Sequence, residues 1–207
     1  MFINRLKEKF NINEPIFTNE ILDLFNEFTR TYVFRLINKA KDKGELFQFA
    51  NGVYYIPEMT IFGLSTITAD EVISKKYIRN GNDVYGIYSG LKLQNIFSVT
   101  TQMPYTIEIV TNNETMRSRK TEINGRRFIL KKSRCPISKE NANAYTVLQL
   151  FNDMGTQIKL DNWAKEMVIG FIKKNNVSAK ELMNLATVFP AQATKNLIIN
   201  GVLNEIA

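Results

Sequence analysis

Histidine is absent from this 207-residue sequence. That absence removes Ser-His-Asp and Cys-His nucleophilic catalysis, histidine acid–base chemistry and histidine-ligated metals. Cysteine is almost missing too. Cys135 stands alone, so it closes no internal disulfide, and with no histidine beside it no zinc site of the Cys/His kind can form. The expectation is a chain of reducing, cytoplasmic surroundings with no metal, no cofactor and no catalytic residue. Long hydrophobic runs are also lacking. The longest apolar stretch, Met167–Ile172, falls far short of the about 20 residues of a membrane-spanning helix. The opening MFINRLKEKF sets Arg5, Lys7, Glu8 and Lys9 among its apolar residues, where a secretory leader would be continuous. Neither export nor a membrane partner is expected.

What is present has ordinary globular proportions, 44% hydrophobic and 23% charged, in a length that suits one or two domains. The net charge of +7 comes from 27 Lys+Arg against 20 Asp+Glu, and it is unevenly spread. Residues 1–57 carry 8 basic and 7 acidic groups, residues 58–136 carry 12 and 7, and residues 137–207 carry 7 and 6. Within the middle third, Arg117, Arg119, Lys120, Arg126, Arg127, Lys131, Lys132 and Arg134 face Glu122 alone between residues 117 and 134. A positive field so concentrated attracts polyanions, and neutralising phosphates with release of counterions is the usual source of nucleic-acid affinity. Arginine predominates, which suits bidentate phosphate contacts. A solubilising hairpin is the plainer reading of the same run.

Near the N-terminus, Ile3, Leu6 and Phe10 recur at helical spacing. A second helix is expected to start at Thr18, with Glu20 in its first turn and Ile21, Leu22 and Phe25 buried. A third runs from about Thr29 to Lys43 and stops at Gly44. The period then changes: Leu46–Phe49, the turn Ala50-Asn51-Gly52 and Val53–Ile56 form a β-hairpin. Three helices followed by a hairpin is the order of a winged helix-turn-helix. On the third helix Val33, Leu36, Ile37 and Ala40 share one side, and Thr31, Arg35 and Asn38 the other. Arg35 and Asn38 are the residue types that read guanine and adenine edges in the major groove of double-stranded DNA. Arg30, Tyr32 and Lys39 flank that face, and Gln48 and Asn51 lie on the hairpin. These eight residues are the candidate DNA-contacting set. Asp42, at the far end of the helix, opposes deep insertion there.

From Glu58 the pattern mixes helix and strand. Thr68 and Glu71 form a capping box for a helix carrying Val72, Ile73 and Tyr77 and closing before Gly81. An apolar segment at Val84–Tyr88, a helix within Ser89–Phe97 and a strand at Tyr105–Thr111 follow. Asn124-Gly125 marks a second hairpin that divides the basic run between its two arms. Alternation sets Arg127, Ile129 and Lys131 on one face and Phe128, Leu130 and Lys132 on the other. A helix spans Ser138 to about Asp153 with Ala142, Tyr145, Leu148 and Phe151 as its apolar stripe, and two or three amphipathic helices follow, with Pro190 at a boundary. The fold class is therefore α+β. An N-terminal winged helix-turn-helix (1–57) precedes a mixed α/β domain with the basic hairpin (58–155) and a C-terminal helical segment (156–207).

Three stretches carry a family likeness: NGVYYIPEMTIFG at 51–63, SGLKLQNIFSVTTQMP at 89–104, and YTIEIVTN at 105–112 leading to RRFILKK. Together they resemble the AbiEi-like antitoxins of type IV toxin–antitoxin, or abortive-infection, systems over roughly residues 1–155. One departure is Phe97-Ser98, where the resemblance leads one to expect a Leu-Gly-like pair. The resemblance implies a repressor that binds inverted repeats in its own operator through the winged helix, with Thr29–Lys39 as the reading helix. It also implies a following domain that counters a nucleotidyltransferase-like toxin without forming a stable complex. No catalytic residue carries over.

Two other readings remain open at this point. A metal-dependent nuclease would draw on Glu108, Glu114 or Glu122 beside the basic hairpin, although a two-metal site needs several converging carboxylates. An interaction adaptor would use the C-terminal helices.

Overall fold

In the computed structural model, which describes residues 2–156 and 159–205, the chain is α+β and divides into two compact units. One unit runs to Lys75 and includes Ile123–Arg126; the other comprises Lys76–Glu122 and the chain from Arg127 onward. The expected boundaries at 57 and 155 do not coincide with this division.

The first unit contains α1 (Phe2–Lys9), β1 (Ile16–Phe17), α2 (Thr18–Leu24), α3 (Arg30–Asp42), β2 (Phe47–Ala50) and β3 (Val53–Tyr55). A small hairpin follows, β4 (Met59–Thr60) and β5 (Gly63–Leu64), and then α4 (Ala69–Tyr77). Strand β1 is absent from the sequence reading because two residues are too few to show a period. It pairs antiparallel with β3, and the sheet order is β1-β3-β2. Helix α2 starts at Thr18 as expected, but its N-cap position falls on Phe17. Thr18 lies inside the helix and its hydroxyl donates to the Gly52 carbonyl at 3.2 Å, while the Glu20 carboxylate accepts the Phe17 N–H at 2.8 Å. Thr29 does cap α3, accepting from the Tyr32 N–H at 3.4 Å. Gly44, at φ +67°, turns the chain out of the helix in a conformation that glycine adopts without steric cost. Leu6, Ile21, Phe25, Val33, Ile37 and Leu46 fill the core between these elements. Truncating such a side chain to alanine costs about 2–5 kcal/mol.

A buried cation ties this unit together. Lys75 of α4 is 8% exposed, and its ammonium lies 2.8 Å from Glu14 and 3.0 Å from Glu20. It also donates to the Pro15 carbonyl at 2.7 Å and lies 5.0 Å from the Phe10 ring centroid. The capping box opening α4 is complete, with Thr68 N–H on the Glu71 carboxylate at 2.6 Å and Glu71 N–H on Thr68 Oγ1 at 3.2 Å.

The second unit begins with the short pair β6 (Arg79–Asn80) and β7 (Asp83–Val84), then β8 (Gly86–Ser89) and α5 (Gly90–Ile96). Strand β9 (Ile107–Thr111) and the long hairpin β10 (Ser118–Ile123) and β11 (Arg126–Lys132) complete a four-stranded sheet ordered β10-β11-β9-β8. The hairpin turn has positive φ at both Asn124 (46°) and Gly125 (81°), as a type I′ turn requires. Strands β9 and β11 run parallel, with Ile107 opposite Phe128 and Ile109 opposite Leu130. All four of those side chains are buried. Ser98 takes φ +57°, so this non-glycine residue sits in a conformation that glycine would adopt freely.

Helix α6 (Ala142–Asp153) is buried nearly all round. It packs against β8 and α5, and also against α7 (Asn162–Lys174), α8 (Ala179–Ala186) and α9 (Ala191–Ile199). The segment after Gly155 is thus no separate lobe. Val168, Ile172, Leu182, Ala193 and Leu197 belong to the same core as Tyr145, Leu148 and Phe151. No helix among the described residues is long and apolar enough to cross a membrane.

Candidate functional site

Two surfaces gather chemically capable side chains, one in each unit. In the first, the core anchors α3 through Val33, Ile37 and Ala40, each no more than 3% exposed. The 3.6-residue period then turns the remaining positions outward. Arg30, Thr31, Tyr32, Arg35, Asn38 and Lys39 are all exposed. Arg35 lies 5.9 Å from the Tyr32 ring centroid, and Tyr32 lies 5.1 Å from the Phe28 ring, so aromatic contacts restrain the middle of this face. Asp42 is exposed at the C-terminal end. Asn51 is exposed at the hairpin turn, where the chain continues into Gly52 at φ +73°. Gln48 is exposed but engaged: its Oε1 accepts from Lys41 Nζ at 2.6 Å, and its Nε2 donates to the Ala50 carbonyl at 3.3 Å. The face offers a planar guanidinium and an amide, groups able to make paired hydrogen bonds to base edges.

One feature of this unit was not legible as a surface in the sequence. In the stretch NGVYYIPEMTIFG, Tyr54, Tyr55 and Ile56 are buried, but Ile61 and Phe62 are 93% and 94% exposed at the tip between β4 and β5.

The basic hairpin is less charged in space than in sequence. Arg119 is paired with Glu114 at 2.8 Å, Arg126 with Asp70 at 3.1 Å, Arg127 with Glu122 at 3.5 Å, and Lys131 with Glu108. Three of those four carboxylates come from outside residues 117–134. Glu114 is 4% exposed and its carboxylate also accepts the N–H groups of Thr115 and Met116 at 2.9 and 3.0 Å. The Met116 bond contributes most to holding its carboxyl below the usual range, with Arg119 adding to it against the opposing effect of burial. This acid is a fixture of the loop before β10.

Among the described residues, Arg117, Lys120, Lys132 and Arg134 have no ion pair. They divide between two places. Lys120 borders a recess beside Arg127, whereas Arg117, Lys132 and Arg134 join Lys131 around a cleft of about 640 Å3. The other wall of this cleft is α6, through Tyr145, Gln149, Asn152 and Asp153. In the sequence α6 reads as a core stripe, and its polar members do not stand out as a site. The available signal was Gln149 and Asp153, four residues apart within an apolar run, a spacing that brings side chains together on a helix.

Glu108, Glu114 and Glu122 do not converge; each is held in its own ion pair. No group of three or more Asp, Glu or Cys residues that could hold a metal ion occurs among the described residues. Burial pushes the Cys135 thiol above its ordinary range, the opposite of an activated nucleophile.

No family model and no curated protein matches this chain.

Proposed function

We propose that this protein is a DNA-binding transcriptional repressor and antitoxin, with α3 as its reading helix. The single observation that carries the reading is the outward row of Thr31, Arg35 and Asn38, exposed on a helix whose opposite side is locked into the core. The element order α1-β1-α2-α3-β2-β3 supports it, being that of a winged helix-turn-helix with β2–β3 as the wing. Arg30 and Lys39 flank the row as phosphate partners, and Asn51 caps the wing. The near-neutral charge of residues 1–57 gives modest electrostatic affinity by itself, so paired copies on an inverted repeat fit such a module. In this reading the basic hairpin serves phosphate contact or antitoxicity toward a nucleotidyltransferase-like toxin that it does not bind stably.

Footprinting on the DNA upstream of the protein's own reading frame tests the proposal. Protection of two half-sites in inverted orientation is expected, with affinity falling linearly in log salt. Equal affinity for that DNA and for random duplex would refute sequence-specific repression. Co-expression with a nucleotidyltransferase-like toxin tests the second role: growth is expected to be restored, with no complex co-purifying.

A further inference from the structure

The cleft beside α6 has a built-in polarity that neither DNA reading nor the charge of the hairpin requires. Its volume of about 640 Å3 lies within the roughly 300–1,000 Å3 of small-molecule sites. One wall is cationic. Arg117 and Lys132 are exposed, and Arg134 is restrained 5.4 Å over the Phe189 ring. Lys131 also borders the cleft, but Glu108 holds its ammonium.

The α6 wall is organised around Asp153. One carboxylate oxygen accepts the Gly90 N–H at 2.7 Å and the Ser89 hydroxyl at 3.0 Å. The other accepts Gln149 Nε2 at 2.7 Å and Asn152 Nδ2 at 3.4 Å. A carboxylate only accepts, so both amide nitrogens turn toward Asp153 and both amide oxygens point elsewhere. No described residue donates to either oxygen. Gln149 is 4% exposed and lines the cleft, and since no fully buried side-chain oxygen lacks a partner among the described residues, its oxygen is not sealed in the core.

A cationic wall opposite two hydrogen-bond acceptors complements a molecule with phosphates at one end and an amino group at the other. We propose that this cleft binds a nucleoside phosphate whose base bears an exocyclic amino group. The phosphates contact Arg117, Lys132 and Arg134, and the amino group donates to the side-chain oxygens of Gln149 and Asn152. Inorganic phosphates would use only the first wall. Uracil has no amino group and offers a single ring N–H flanked by two carbonyl oxygens, so it can serve at most one of the two acceptors and sets its own oxygens against the other. The inference rests on the second unit alone and is independent of operator binding by α3.

Calorimetric titration of the full chain with ATP, CTP, UTP and inorganic triphosphate tests it at about physiological ionic strength. ATP or CTP is expected to bind about tenfold or more tightly than UTP and triphosphate. The double variant Arg117→Ala/Lys132→Ala, altered at exposed positions and checked for an unchanged melting temperature, weakens that binding about tenfold or more. Asn152→Ala narrows the preference over UTP and leaves triphosphate binding as it was. The proposal is overturned if neither ATP nor CTP binds at millimolar concentration, if the double variant binds like the parent, or if UTP or triphosphate binds equally well. A ten-nucleotide single strand that binds when the mononucleotides do not would also overturn it, making the cleft part of a backbone track. Operator binding measured on Asn152→Ala keeps the two proposals apart, because that residue lies on α6, outside both α3 and the basic hairpin.

Discussion

The ammonium of Lys75 lies 2.8 Å from the carboxylate of Glu14, a residue 61 positions earlier, and it is 8% exposed there. With Glu20 at 3.0 Å on the same ammonium, the arrangement puts two acids around one buried base. Removing one member of a buried ionic group leaves the others desolvated without compensation. Lys75→Ala is therefore expected to destabilise the protein by about 3–5 kcal/mol. Replacing the group together, as Lys75→Met with Glu14→Gln and Glu20→Gln, recovers most of that loss. Urea unfolding of both variants checks it; equal losses would mean that the lysine's packing, not its charge, matters.

Acid sensitivity follows from Glu14 and Glu114. Burial is the largest influence on Glu14 and raises its pKa, but the bonds from Lys75 and Asn11 outweigh it, so the net direction is down. Glu114 is also lowered. A carboxyl with a folded pKa below its unfolded value contributes stability above the unfolded pKa and loses it as pH falls through the folded one. Stability is expected to decline as pH drops below the ordinary carboxyl value of 4.5. The urea midpoint should be lower at acidic than at neutral pH, and Glu114→Gln should narrow the difference. A midpoint that does not move between the two would rule this out.

Arg35→Ala should weaken operator binding by about 1–3 kcal/mol and relax base choice at one position of each half-site, as loss of a bidentate contact does. Because Arg35 is exposed, thermal stability should stay within about 0.5 kcal/mol of the parent. A binding loss accompanied by a matching loss of stability would place Arg35 in the fold and not at the interface.

Glycines divide sharply by surroundings. A methyl group on Gly86 would meet the Tyr77 carbonyl oxygen at 2.0 Å and the Val110 carbonyl oxygen at 3.0 Å, both backbone atoms. Gly86→Ala should cost about 3 kcal/mol or more, at the upper end of overpacking penalties. Gly170, within α7, has nothing within 4 Å of the same added atom. Gly170→Ala should stabilise by about 0.5–1 kcal/mol through helix propensity. Melting temperatures moving in opposite directions are the expected readout.

Much of the first unit was legible because its signals are local. The two faces of α3 follow from a 3.6-residue period, and its ends from Thr29 and Gly44. Strand β1 was not legible, since its two residues become a strand only by pairing with β3. The basic run was legible as composition but not as field. Its partners Asp70, Glu108 and Glu114 arrive through folding.

The sequence by itself determined the local conformations: helical stripes, the Asn124-Gly125 turn and the capping box of α4, each settled by backbone sterics and by side chains within a few residues of one another. The tertiary structure alone decided the parallel pairing of β9 with β11, the enclosure of α6 and the burial of Lys75. It also decided which cations keep an open charge. Charges cancel and clefts form according to distance in space, and residues far apart along the chain acquire that distance only when the core closes around them.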